Sequence, residues 1–173
     1  MDVRRHGKLP STGNSAIRTG VEMQATEHTP QFADLSEKSA RALLARNHVG
    51  RLAFAHKDRV DIQPIHYVYD DQWLIGRTRV GSKLVKLAHN PWCAFEVDEV
   101  HGLFHWDSVV VRGSFTMLDP KVGSSTLYDR ALDLLDRFIP GTMSSKDPVP
   151  ERAIPFAIHI DELRGRSARP ADD

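Results

Sequence analysis

Polar and apolar residues alternate through most of the middle of the chain, and the stretches where the repeat lengthens to about 3.6 residues mark three helices. HVGRLAFAH, DIQPIHYVYDD and QWLIGRT follow one another with only turn-like residues between them, at Lys57 to Arg59 and Asp70 to Asp71, which predicts an antiparallel meander. In WCAFEVDEV, Cys93, Phe95 and Val97 alternate with Ala94, Glu96 and Asp98, giving a strand with one buried face and making Cys93 a small core residue. A loop from His101 to Asp107 leads into SVVVRGSFTML, where Val109, Val111, Phe115 and Met117 share one face and Arg112, Ser114 and Thr116 the other. IPFAIHIDEL is a last strand, with Phe156, Ile158 and Ile160 in register.

Between the strands the signals are helical. Ser36 is a good N-cap, Glu37 suits a first turn, and Ala40, Leu43 and Leu44 form an apolar stripe that stops at Asn47. Ser82 to His89 is a second helix, ended by Asn90-Pro91 because proline disfavours helical geometry in the residue before it. A third starts at Asp119-Pro120 and reaches about Phe138, with Leu127, Ala131, Leu134 and Leu135 on the side that covers a surface and Pro140-Gly141 as its stop. TMSSKDPVPERA is a polar loop. Residues 1–31 show neither period and are expected to be a disordered tail, with one domain over 32–168, fraying after Arg166, and a short tail over 169–173. Six antiparallel strands with few helices point to a barrel or sandwich rather than to a parallel sheet.

Composition narrows the function classes. A chain of 173 residues can bury a core without staples, and its single cysteine permits no intramolecular disulfide. Without a secretory signal or an apolar run of spanning length, the expected place is the cytosol and no membrane is engaged. Lys plus Arg equal Asp plus Glu at 23 each, so no net field recruits nucleic acid, and an anion must be met locally.

One segment can meet an anion. In GRTRVGSKLVKL, an apolar strand runs into Arg77, Thr78, Arg79 and a Gly81-Ser82 turn, then Lys83 and a helix. Positive charge, hydroxyl donors and the unpaired amides of a helix start are the parts of a phosphate site, although a solvated basic turn has the same composition. Pro64 cannot donate to a ladder, so Gln63 to Tyr67 is either an edge facing a cleft or merely a protected edge. Tyr67, Tyr69, Trp92 and Trp106 can wall a flat ligand or pack; for Trp92 packing is favoured. His66 can donate to a ring, or be an ordinary strand histidine. Nine histidines raise the question of metal, but only His101 and His105 stand four apart, in a loop with no completing ligands, and no metal is expected. No nucleophile elbow is present.

The segments VGRLAF, IQPIHYVYDD, GRTRVGSKLVKLAHNPWCAFEVD, WDSVVVRGSF and IHIDELRGRSA, in this order, resemble the pyridoxamine 5′-phosphate oxidase-like FMN-binding split barrels over roughly residues 35–168, and most of all their nitroimidazole-resistance-type branch. That resemblance implies a mainly β fold, a six-stranded antiparallel split barrel of Greek-key type with a few short flanking helices. It also implies a homodimer holding FMN in each of two clefts between subunits. Carried over by position, Arg77, Thr78, Ser82 and Lys83 grip the phosphate, with Arg51 as a further partner. Pro64, Ile65, His66 and Tyr67 lie along the ring, and Trp106 falls at the cofactor edge or the subunit interface. True pyridoxamine-phosphate oxidases share a C-terminal Trp-Arg segment where this chain has HIDELRGRSA, which argues against that substrate. The expected function is electron transfer from reduced flavin to a small organic acceptor such as a nitroaromatic or quinone. The alternatives are a non-catalytic flavin-binding or stress-response protein, or a split barrel using deazaflavin or haem.

Overall fold

The computed structural model describes residues 29–122 and 125–171, so the expected tail over residues 1–31 lies outside the described residues as far as residue 28. In chain order the elements are β1 (Gln31–Asp34), α1 (Glu37–Arg46), β2 (Val49–His56), β3 (Arg59–His66), β4 (Val68–Asp70), β5 (Trp73–Thr78), α2 (Ser82–His89), β6 (Trp92–Gly102), β7 (His105–Met117), α3 (Ser125–Phe138) and β8 (Ile154–Arg169). All strand pairings are antiparallel and form one sheet in the order β3-β2-β6-β7-β8-β5-β4, with β1 also on β8. No described helix is long and apolar enough to cross a membrane.

The two ends of that path are consecutive in sequence, with only Tyr67 between β3 and β4. The sheet therefore curls until the chain itself joins its ends, and this is the split barrel. Tyr67 is fully buried, its amide donates to the His48 carbonyl (3.0 Å), its hydroxyl to the Leu44 carbonyl (2.7 Å), and its ring meets Phe95 edge-on at 4.9 Å. DIQPIHYVYDD, read above as one strand, is thus two, and no simple meander forms. From Pro64 to Tyr69 only His66 is polar, so no turn signal marks the pivot and the pattern could not locate it.

The barrel interior is filled by Leu52, Phe54, Phe95, Val97, Val109, Val111, Phe156 and Ile158, plugged by Leu43 and Leu44 of α1 and by Leu84 and Leu87 of α2. A second, smaller core sits outside β5 and β8, where Ile75 and Ala157 pack under Ala131 and Leu135 of α3. β5 is consequently buried on both faces, which is why WLIGRT lacks alternation.

Local chemistry fixes the plugs. Ser36 Oγ caps α1 by accepting from the Ser39 amide (3.1 Å), and at the other end Arg46 makes two 2.7 Å bonds to Glu99 of β6. Those Arg46 bonds, helped by Asn47, hold the Glu99 carboxyl down at about 2.

The structure corrects several sequence-based boundaries. The described residues form eight strands rather than six, because β1 and β4 are too short to show a period. The loop expected from His101 to Asp107 is a tight hairpin with Gly102 paired to His105. α3 begins at Ser125, and Asp119 instead closes a turn by accepting from the Lys121 amide (2.8 Å). The chain does not fray after Arg166: β8 runs to Arg169, held by β7 on one edge and β1 on the other, and Ala168 is fully buried.

β7 and β8 slip register at Gly113, where Arg112 faces Glu162 but Gly113 faces Ile160. A Cβ on Gly113 would lie 1.8 Å from the His159 carbonyl oxygen, closer than any packing allows. Gly113→Ala should therefore cost about 2–3 kcal/mol, read as a lowered denaturant midpoint with an unchanged m-value; an unaltered midpoint refutes the tight approach. Glu99 makes a second test. Its folded value lies below the ordinary 4.5, so its contribution is present above about pH 4.5 and lost as pH falls toward 2. Glu99→Gln should flatten that acid limb and cost on the order of 1 kcal/mol at pH 7, discounted for a half-exposed Arg46.

Candidate functional site

At the end of β5 the chain leaves a doubly buried strand, turns through Arg79, Val80 and Gly81, and enters α2. α1 has a side-chain cap and an acidic first turn; α2 has neither. Its first amides therefore have no side-chain acceptor of their own, with the positive end of the helix dipole behind them. A Cβ built on Gly81 would meet nothing within 4 Å, so this glycine relieves no clash with protein and leaves the approach to the helix clear.

In front of this corner is a cleft of about 320 Å³, formed by the end of β3 (Gln63 to His66), the corner itself (Arg77 to Arg79 and Gly81 to Lys83), and Glu151 with Arg152 from the loop before β8. Its size is near the lower end for small-molecule sites. β3 is the last strand on its side of the sheet, so its free edge faces this gap. Gly76 holds the gap narrow: a Cβ there would sit 2.8 Å from the His66 carbonyl oxygen, and only glycine lets β5 approach β3 so closely.

The charges in the cleft fall into two groups. Arg77 is met by protein, its guanidinium making a bidentate contact with Asp147, with one bond of 2.9 Å and a shorter one, and the two side chains are only 4% and 3% exposed. The same carboxylate accepts the amides of Met143 and Val149, each at 2.8 Å, and chiefly the Arg77 contact holds it far below the usual carboxylate range. Arg79, Lys83 and Arg152 are different. Among the described residues none of the three makes an ion pair, and all three line the one cleft. The Lys83 ammonium lies 5.9 Å from the centre of the Phe156 ring, and its pKa is lowered by burial first and then by Arg152 and Arg79. Three mutually repelling cations thus gather beside uncapped amides, with Glu151 as the one acid on the lining, and give this mouth of the cleft a positive field.

Pro64, Ile65, His66, Arg77, Thr78, Ser82 and Lys83 all line this one cleft. The other three candidates do not. Tyr67 is withdrawn into the core. Arg51, although paired across strands with Pro64, turns to the outer sheet face and is held by Asp98 and, at 3.6 Å, by Glu96. Trp106 lies on β7 beside Phe32, with ring centres 6.2 Å apart, in a groove with Val110 and Arg166.

Of the remaining aromatic candidates, Tyr69 packs on the core and accepts from Arg41 (2.9 Å), whereas Trp92, expected to pack, is 64% exposed within this chain. Cys93 is buried as expected, and burial pushes its thiol up to about 12. His101 and His105 bring their rings to 5.0 Å across the hairpin, and among the described residues no group of three or more His, Cys, Asp or Glu is placed to hold a metal. Sequence reasoning missed Asp147, Glu151 and Arg152. Their only signal is the mixed charge of KDPVPER between stiffening prolines, in a segment without a period.

The family model described as pyridoxamine 5′-phosphate oxidase matches residues 36–167. An uncharacterized protein of Rhizobium meliloti is 27% identical over 144 residues, 78% of this chain and 93% of its own length. Among solved structures, an FAD-binding protein from Mesorhizobium loti is 28% identical with a TM-score of 0.65, covering 82% of this chain and 99% of that one. A candidate 5-nitroimidazole antibiotic resistance protein from Bacteroides thetaiotaomicron has the same fold at 13% identity, with a TM-score of 0.63 over 84% of this chain and 93% of the other.

The electrostatics of the corner set a pH test with inorganic pyrophosphate as the probe. Lys83 binds an anion only while protonated, so affinity should hold at neutral pH and fall on the alkaline side at a pH below 10.5, the ordinary lysine value. Lys83→Met should weaken binding about tenfold or more and abolish that alkaline fall, measured by titration calorimetry. An alkaline limb that survives the substitution would remove Lys83 from the receptor.

Proposed function

This chain belongs to the pyridoxamine 5′-phosphate oxidase family, and from that premise we propose that it binds a flavin nucleotide, FMN in the first instance, and passes electrons from the reduced flavin to a small organic acceptor such as a nitroaromatic or quinone. The observation that carries the reading is the corner at the start of α2, where Arg79, Lys83 and Arg152 make no ion pair among the described residues. A terminal phosphate would neutralise them, with Thr78 and Ser82 donating hydroxyl bonds and α2 offering its first amides. The free edge of β3 from Gln63 to His66 would supply backbone donors and acceptors to the ring, and Ile65 and Pro64 an apolar contact. When bound, the flavin supplies the redox chemistry at its ring; the protein's part is to anchor, orient and shelter it. No acid-base pair is needed in the chain for that.

Homodimerisation belongs to the same reading. Among the described residues no helix covers the outer face of β3, β2, β6 and β7, which exposes Val60 (70%), Ile62 (66%) and Trp92 (64%). Arg51 and Trp106 lie on that face too, so their roles as ligand partners require a second copy. Pyridoxamine phosphate is not the expected substrate. The segment HIDELRGRSA lies within β8 between its neighbours, and Arg164 and Arg166 pair with Glu162 and Asp34 rather than standing free. FAD is the second reading, favoured by the similarity to the FAD-binding protein from Mesorhizobium loti.

The test begins with the purified protein. It should be yellow and dimeric, release a molecule with the mass of FMN on denaturation, and bleach with NADH or NADPH in a way that a nitroaromatic or quinone reverses over many turnovers. A released molecule with the mass of FAD selects the second reading. A yellow protein that no nicotinamide reduces leaves binding and removes the oxidoreductase. A monomer by light scattering that still binds flavin removes the roles of Arg51 and Trp106.

A further inference from the structure

Arg77 borders the cleft, yet its charge is spent inside the protein. Each oxygen of Asp147 accepts one guanidinium nitrogen and one backbone amide: Met143 N–H on one oxygen, Val149 N–H on the other. Val149 in turn accepts the Arg152 amide through its carbonyl (3.1 Å). A continuous relay of hydrogen bonds thus runs from the floor of β5 through Asp147 and Val149 to Arg152, one of the three unpaired cations. Apart from short-range turn bonds, such as Ser144 Oγ to the Gly141 carbonyl (2.7 Å) and the Asp147 amide to the Ser144 carbonyl (3.2 Å), little else holds this loop. From Met143 to Ala153 no residue is buried as a whole, and the Asp147 carboxylate is the group the segment drives into the protein.

Resting on the flavin-phosphate reading above, we infer that Asp147 is a positioning residue that sets Arg152 at the anion corner, and that Arg77 is its anchor and not a ligand of the phosphate. The two roles for Arg77 predict opposite signs. If Arg77 ligates the phosphate, Asp147 competes with the ligand, and removing its charge frees the guanidinium and tightens binding. If Arg77 is the anchor, removing that charge loosens the loop, misplaces Arg152 and weakens binding.

The experiment is a double-mutant cycle on the full chain, Asp147→Asn and Arg152→Ala, titrated with FMN and separately with inorganic pyrophosphate, with amide hydrogen exchange of residues 143–153 followed in the ligand-free protein. Each single variant should weaken binding about tenfold, the double variant no more than either single one, and exchange should quicken in Asp147→Asn. A buried guanidinium without its partner can prevent folding, so the pair Arg77→Met with Asp147→Leu, which removes both charges, is the second background. In it Arg152→Ala should cost nothing further. Tighter or unchanged binding in Asp147→Asn, or costs that simply add, would overturn the inference. Wild-type protein that binds pyrophosphate but no flavin removes the flavin reading and leaves the relay to be judged by the pyrophosphate cycle; protein that binds neither overturns both.

Discussion

A sheet whose ends are joined by one residue, instead of by hydrogen bonds between its edge strands, must leave a seam, and in this chain the seam determines where chemistry gathers. Tyr67 is the joint, and three demands hold it: burial of its ring against Phe95, its hydroxyl on Leu44 of α1, and its amide on His48. With the joint fixed, β3 cannot zip onto β5, and Pro64 leaves one donor fewer on the free edge. Gly76 then sets how wide the seam opens. The cleft follows from these few positions, before any charged residue is considered.

The charged residues divide the work of structure and binding. Arg77 and Asp147 bury their charges in each other, a pairing whose loss on one side would be severe but which leaves no field for a ligand. Arg79, Lys83 and Arg152 do the reverse: they keep their field, and burial first, then repulsion from Arg152 and Arg79, lowers the pKa of Lys83. Two arginines two residues apart in GRTR therefore sit differently because β5 is buried to Thr78 and the chain is exposed from Arg79 to Ser82.

That division marks the limit of what sequence could reveal. Alternation located β2, β6, β7 and most of β8, a cap and an apolar stripe located α1, and turn or stop residues bounded β5 and α2, because each depends on neighbours within a few residues. The β5–α2 corner was legible for the same reason: its glycine, hydroxyls and lysine are contiguous. The pivot at Tyr67 was not, since a strand and a break between two strands can carry the same pattern. Nor was the state of Arg77, which depends on a carboxylate seventy residues away in a loop with no period. Short strands such as β1 and β4 form because a longer neighbour offers them an edge, and no local pattern records that.

The outer sheet face resolves an apparent contradiction among the site residues. Arg51 and Pro64 oppose each other on adjacent strands, yet Arg51 lies outside the cleft that Pro64 lines, because the cleft opens around the edge of β3. Within one chain, Arg51 is engaged by Asp98 and Glu96, and burial, with Asp98 next, raises the Glu96 carboxyl. Covering this face with a second copy would bury that network further, at a desolvation cost that exposed Val60, Ile62 and Trp92 can offset by leaving water. A dimer so formed would put two clefts beside one apolar seam. The same burial that stabilised the pair would then also shelter the two clefts from water, so that assembly would set the environment of the cleft through desolvation alone.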